Sequence, residues 1–303
     1  MTHGTHNAES DSRNQNIKIY INGEFHQRED AKISVFDSGY LVGDGVWEGI
    51  RLYKGKLAFV NDHLERLWIA AKAIGLNIPF SQEEMIKRIQ STLDINNMFD
   101  QVHIRVMLTR GIKKTPSQDP RLTISGPNLV IIAEHKKASI ESKNKGIKLF
   151  TSSFRRGSPD YLDPKLNCHS KLHEVQALVQ AIEAGADEAL MLDINGFVST
   201  CNATNFFMIK NNEVWTSTGD YCMNGITRSK IIKICKENNM ICHEKNFSLY
   251  DTYSADEAFV TGTFGGVTPV THIDGKQIGK GNFGSISKTL SNFYEQLILK
   301  EVG

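Results

Sequence analysis

The stretch Asn224-Gly225-Ile226-Thr227-Arg228 runs straight into a segment where Ile231, Ile232 and Cys235 recur at helical spacing. A glycine turn feeding a helix start presents unbonded backbone N–H groups and the positive end of the helix dipole, a ready seat for a phosphate. The Thr227 hydroxyl adds a donor there, although the same side chain also suits a plain helix cap.

Two other segments share this character. Thr261-Gly262-Thr263-Phe264-Gly265-Gly266 follows an apolar strand, and its glycines either admit a ligand close to the backbone or form a tight turn. In Asp62-His63-Leu64-Glu65-Arg66-Leu67, Arg66 sits between apolar Leu64 and Leu67. Its guanidinium either turns inward, where it needs an anion, or snorkels past Leu67 to solvent.

Outward from these segments the chain mixes strands and helices. Ile17-Lys18-Ile19-Tyr20-Ile21 alternates up to Asn22-Gly23, a strand entering a turn, and Lys32–Phe36, Val46–Tyr53 and Leu57–Val60 read as further strands. Leu64, Leu67, Trp68, Ala71 and Ile74 repeat at helical spacing until Gly75, and Ser81 with Glu84 forms a capping box for a helix to about Asn97. Strands follow at Val102–Thr109 and Asn128–Glu134. Lys136, Lys137, Glu141, Lys143 and Lys145 then crowd a segment that reads as a solvated linker. Beyond it come a strand at Ile147–Ser153, a helix over Ser170–Ala184, hairpins at Asn195-Gly196 and Asn211-Asn212, and a helix over Thr227–Asn238. The last strands are Glu257–Thr261 and Thr268–Ile273. Without strict βαβ alternation this is an α/β chain of the α+β kind. The expected division is a disordered tail at 1–16, an N-terminal α/β domain at 17–137, a linker at 138–146 and a C-terminal domain at 147–303.

Composition narrows the partners. With 303 residues, 40% of them hydrophobic, the chain has material for two cores. Lys and Arg number 35 against 34 Asp and Glu, a net charge of +1, which argues against nucleic acid or an anionic membrane as partner. No apolar run approaches the roughly 20 residues that span a bilayer, and polar Met1–Asn16 is no secretory signal. Five cysteines without a CxxC pair fit a reduced, cytoplasmic protein with no metal site.

Together with Gly45-Val46-Trp47-Glu48-Gly49-Ile50-Arg51, Gly185-Ala186-Asp187-Glu188-Ala189-Leu190-Met191-Leu192-Asp193 and Asn195-Gly196, the three segments run in a familiar order. From about Ile17 to Glu295 the chain resembles the class IV, fold-type IV pyridoxal-phosphate family, which includes branched-chain and D-amino-acid aminotransferases and aminodeoxychorismate lyase. The resemblance implies two α/β domains with pyridoxal 5'-phosphate in the cleft between them, and a homodimer. It implies an aminotransferase working between a small-molecule amino donor (branched-chain amino acid, D-amino acid or (R)-amine) and a 2-oxo acid. A lyase of the aminodeoxychorismate type and a non-catalytic pyridoxal-phosphate-binding protein are the alternatives. Residue by residue, it puts Arg66, Gly225, Ile226, Thr227 and Thr263 on the cofactor phosphate.

Two positions depart from the family pattern. Thr200 stands where a glutamate usually faces the pyridine nitrogen, and a neutral hydroxyl cannot compensate a pyridinium charge. Asn167 stands where an ungapped reading puts the Schiff-base lysine. Lys165 shares a face of an extended segment with that position. Lys171 falls at a helix start where many relatives carry a tyrosine against the cofactor, and a lysine there opposes the helix dipole unless something else requires it. Lys171 is the preferred catalytic lysine and Lys165 the alternative. Tyr40, Trp47, Arg105 and Phe264 are the candidate substrate contacts, with Arg51 and Arg110 as weaker ones, and His169 beside the lysines is either a proton shuttle or a hydrogen-bonding spacer.

Overall fold

Side chains that alternate between buried and half-buried, the period of two imposed by a pleated strand, organise the first half of the chain. The computed structural model describes residues 4, 5, 8, 10–138, 143 and 145–303. In it, β1 (Lys18–Ile21), β2 (Glu24–Gln27), β3 (Gly45–Tyr53), β4 (Lys56–Ala58), β5 (Val102–Thr109) and β6 (Asn128–His135) form a six-stranded antiparallel sheet in the order β2-β1-β6-β5-β3-β4. On β5, Val102, Ile104, Val106 and Leu108 are wholly buried under α2 (Val60–Ala73) and α3 (Gln82–Ile95), where they meet Leu64, Leu67, Met85 and Ile89. His103, Arg105 and Met107 point to the opposite face. Ser81 and Glu84 form the expected capping box of α3. A short helix, α1 (Ser38–Val42), precedes β3.

The strand expected at Lys32–Phe36 is not there. The two-residue turn at Asn22-Gly23 pairs Lys18–Ile21 directly with Glu24–Gln27, so the hairpin is complete before Lys32. Ile33, Val35 and Phe36 are left exposed, with no ladder partner among the described residues.

The second half builds a nine-stranded mixed sheet from β7 (Ile147–Thr151), β8 (Glu188–Leu192), β9 (Val198–Cys201), β10 (Asn205–Lys210), β11 (Glu213–Thr216), β12 (Cys242–Glu244), β13 (Glu257–Gly262), β14 (Gly266–Ile273) and β15 (Lys276–Gln277). Its order is β12-β11-β10-β13-β14-β7-β8-β9, with β15 beside β14. β7 runs parallel to both β14 and β8, as strands joined by a helical crossover do. The crossover from β7 to β8 is α4 (Leu172–Glu183), which lies on both strands. α5 (Ile226–Glu237) and α7 (Ser285–Val302) pack on each other and on β13, and the short α6 (Leu249–Tyr253) leads into β13. Phe207 and Phe259 stack at 4.9 Å in this core, each contributing about 2 kcal/mol by leaving water. Phe59 stacks on Tyr294 of α7 at 6.3 Å and joins the two halves. Among the described residues no helix is long and apolar enough to cross a membrane, and no cluster of side chains could hold a metal ion.

Part of the segment expected to be a disordered tail is ordered, because its polar groups find partners. Asp11 caps a turn of 3-10 helix at Ser12–Asn16, and the Asn14 side chain bonds both the N–H and the carbonyl of His135. Residues 1–3, 6, 7 and 9 lie outside the described residues, as do 139–142 and 144 of the expected linker.

Candidate active site

The outward face of β3 and β5 meets the start of α5, the start of α4 and the end of β13 around a cleft of about 400 Å³. Of the expected site residues, Arg66, Thr200, Gly225, Ile226, Thr227, Thr263, Trp47, Arg105, Phe264 and Lys171 all line it. Tyr40 and Lys165 do not.

One end of the cleft is made for an anion. α5 begins at Ile226 behind Gly225, its N-cap, and no side chain caps the first turn. The leading N–H groups therefore stay unbonded by a cap. Thr227 lies inside the helix rather than at its cap, so its hydroxyl is spared for other work; it lies 3.2 Å from the Tyr294 hydroxyl. Gly225 is favoured by space, not by backbone angle: a Cβ there would press on Asn205 Oδ1 and displace that side chain.

Arg66 turns inward. It donates from Nε to Glu48 Oε1 at 2.7 Å, from Nη2 to Glu48 Oε2 at 2.8 Å, and from Nη1 to the Asn224 carbonyl at 3.1 Å. Three of the five guanidinium N–H groups are used and two remain. Glu48 also lies 2.7 Å from His63 Nδ1 and is fully buried. Burial would push its carboxyl up, but the His63 bond and the Arg66 charge outweigh that and hold it below its ordinary value.

At the opposite end Lys171 is the N-cap residue of α4, with Nζ 3.7 Å from Glu174 Oε1. Arg156 donates to the same oxygen at 2.6 Å. Lys165 is exposed. Asn167 is buried between them, its Nδ2 donating to the Trp47 carbonyl at 2.7 Å while its Oδ1 has no partner. Thr200 donates to the Thr204 carbonyl at 2.8 Å. The carboxylate of Glu188 does not line the cleft and is held by Thr204 Oγ1 at 2.8 Å and by Thr5.

The walls between these ends are aromatic and cationic. Arg105 lies 3.8 Å above the Trp47 ring, and Lys136 Nζ lies 4.8 Å from the Phe264 ring. Burial pushes the pKa of both cations down. Tyr40 is 72% exposed on α1. Arg110 is tied to Asp44 and to the carbonyls of Ile74 and Gly75, Arg51 donates to the Lys136 carbonyl, and His169 sits against the Val46 carbonyl. None of these three lines the cleft.

Sequence reasoning passed over Glu48, Arg156, Glu174 and Lys136. Glu48 carried a signal, a carboxylate inside the otherwise apolar Val46–Ile50 run, which demands a buried partner. Glu174 carried only its i,i+3 spacing from Lys171, and Arg156 and Lys136 carried none, since they meet their partners through the fold rather than through local spacing.

Residues 45–273 match the family model for amino-transferase class IV. The chain is 42% identical over 284 residues to branched-chain-amino-acid aminotransferase-like protein 2 of Arabidopsis thaliana, an overlap of 94% of this chain and 51% of that protein. It thus spans about half the length of the Arabidopsis relatives it matches. It is 32% identical over 295 residues to D-alanine aminotransferase of Listeria monocytogenes, covering 95% of this chain and 98% of that one. Its fold matches the crystal structure of a T.th. branched-chain amino acid aminotransferase with pyridoxamine 5'-phosphate at a TM-score of 0.88, with 30% identity over 94% of this chain and 95% of that chain.

Proposed function

The chain belongs to the class IV amino-transferase family, and we propose that it is a pyridoxal-phosphate-dependent aminotransferase that moves an amino group between an amino acid and a 2-oxo acid. The observation that carries this is the meeting of an uncapped helix start, Arg66 and Lys171 in one cleft.

The residues present suit the cofactor. Gly225, Ile226, Thr227, Thr263 and Arg66 would hold its phosphate, using the free N–H groups of α5, two hydroxyls and one fixed cation. Asn167 Oδ1 and Thr261 Oγ1 are buried in the cleft lining without a partner, which suits polar atoms that complete their bonding on a ligand. Thr200 would face the ring nitrogen as a neutral hydroxyl, so the ring is held without a carboxylate at that point.

When bound, pyridoxal phosphate supplies an aldehyde carbon that takes an amino group and a conjugated ring that accepts an electron pair from the substrate carbon. The chain does the rest. Among the described residues Lys171 is the cleft amine on the α4 side, and its Nζ holds the proton that must move at the substrate carbon. Arg105, half-desolvated on Trp47, binds a substrate carboxylate. Trp47 and Phe264 wall off water and offer an apolar surface suited to a branched-chain donor. D-amino-acid and (R)-amine donors remain the other substrate classes of this proposal.

A homodimer belongs to the same proposal. Leu172, Val175, Val179 and Ile182 make an exposed apolar stripe along α4, beside the cleft, which suits burial against a second copy. Tyr40 can contact substrate only if such a copy brings it to the cleft. We place the protein in the cytosol, where its five free thiols stay reduced.

Borohydride reduction of the holoprotein followed by peptide mapping tests the assignment. Label on Lys171 supports it. Label on Lys165 moves the chemistry to the other lysine, and a holoprotein that takes no label is a non-catalytic binder, the alternative that Asn167 and Thr200 favour.

A further inference from the structure

Glu174 and Arg156 form a unit that has no part in the chemistry assigned to Lys171 and Arg105. Arg156 is 7% exposed and anchored by the fold itself: its backbone N–H bonds the Leu192 carbonyl at 2.8 Å, and its guanidinium reaches the carbonyls of Tyr221 and Pro164. From that fixed place it donates to Glu174 Oε1 at 2.6 Å, in the first turn of α4. Lys171, one turn earlier, brings its Nζ to 3.7 Å from the same oxygen, and all three side chains line the cleft.

A structural Arg–Glu pair would be complete with two members. Placing a lysine at the N-cap of α4 sets a cation against the positive end of the helix and beside a second cation, Arg156, two costs that a serine or aspartate there would avoid. Glu174 offsets both. We infer that Glu174, aimed by Arg156, is the positioning residue that holds Lys171 in the cleft and sets its charge, a role that rests on Lys171 being the reacting amine. The other charged groups lining the cleft do not compete for Lys171: Glu48 is engaged by Arg66 and His63, while Arg105, Lys136 and His103 bring no carboxylate. Burial keeps the Cys201 thiol neutral. The Glu174 carboxyl is pushed up by burial, but the Lys171 and Arg156 charges outweigh this and keep it ionised at neutral pH.

Two variants move Lys171 in opposite directions. Glu174→Gln removes the counter-charge and leaves Arg156 beside the amine, so Lys171 gives up its proton more readily. Arg156→Gln leaves Glu174 to Lys171 alone, so the amine holds its proton more firmly. The readout is competitive labelling of the cofactor-free protein with acetic anhydride across pH, quantified for the Lys171 peptide by mass spectrometry. At neutral pH, labelling of Lys171 rises roughly tenfold in Glu174→Gln and drops in Arg156→Gln. Exposed Lys165 serves as the internal control and stays unchanged. Should one variant fail to fold, the other carries the test. Lys171 profiles that superimpose on the wild type overturn the inference. Because the labelling needs no cofactor, it separates from the borohydride map: borohydride label away from Lys171 defeats its assignment as the reacting amine, whereas label on Lys171 with an unmoved pH profile defeats the role of Glu174 alone.

Discussion

Arg66 and Glu48 meet as a two-point ion pair, Nε to Oε1 at 2.7 Å and Nη2 to Oε2 at 2.8 Å, with the carboxylate 0% exposed. The pair ties α2 to β3 and fixes the plane of the guanidinium before any ligand arrives. Removing the carboxylate leaves the cation unpaired, and His63 with it. Glu48→Gln is therefore expected to cost about 3 kcal/mol, read as a lower urea midpoint with unchanged slope. The pH dependence has a definite sign. A carboxyl held below its ordinary value of 4.5 contributes stability above that pH and loses it as pH falls through the folded value. In Glu48→Gln this share of the acid-side loss disappears, so the gap between variant and wild type narrows below about pH 4.5. A gap that is constant down through that range would show that Glu48 is not ionised in the folded protein.

Gly225→Ala separates cofactor seating from folding. With φ at −62° an alanine is unstrained in backbone terms, but its Cβ would lie 2.3 Å from Asn205 Oδ1. Asn205 must shift and weaken its bond to the Met223 carbonyl, now 2.9 Å, which shapes the loop before α5. Affinity for pyridoxal phosphate, titrated by absorbance, is expected to fall about tenfold, roughly 1.4 kcal/mol. Unchanged affinity would mean that the α5 start does not carry the phosphate.

Arg105→Met keeps the length of the side chain on Trp47 and deletes its charge. If Arg105 binds a carboxylate equally in the ground and transition states, KM for the 2-oxo acid rises about tenfold or more with little change in kcat. A loss confined to kcat would place Arg105 in the proton-transfer step instead.

Sequence patterns found the elements whose hydrophobic period is clean. Val102–Thr109 emerged with its bounds intact because four buried aliphatics alternate with His103, Arg105 and Met107. The polar strand Glu24–Gln27 could not be seen, since its place is dictated by the Asn22-Gly23 turn rather than by apolar spacing. The C-terminal helix Ser285–Val302 escaped notice too, as its buried side includes Ser287 and Ser291 beside Leu290 and Tyr294. The site followed the same rule. Arg66, Thr227 and Thr263 were legible from local glycine, hydroxyl and charge context, but Arg156–Glu174 joins a loop to a helix across 18 positions with no local pattern to mark it. Tyr40, a candidate substrate contact, is exposed on α1 and lies outside the cleft of its own chain.

Thr227 and Tyr294 are expected to act together. Tyr294 is buried to 4% exposure, and burial pushes its phenol pKa well up, so it stays a neutral O–H at any physiological pH. When it donates to Thr227 Oγ1, 3.2 Å away, the threonine proton is left free for an anion at the start of α5. Tyr294→Phe removes that donor, leaving the Thr227 oxygen without its partner and its O–H no longer aimed at the anion. The expected cost is about 1 kcal/mol of stability, with a several-fold loss of pyridoxal phosphate affinity. Thr227→Val abolishes the hydroxyl itself, and adding Tyr294→Phe to it should weaken cofactor binding no further. Additive losses in the double variant would mean that the two hydroxyls serve the fold and the phosphate separately.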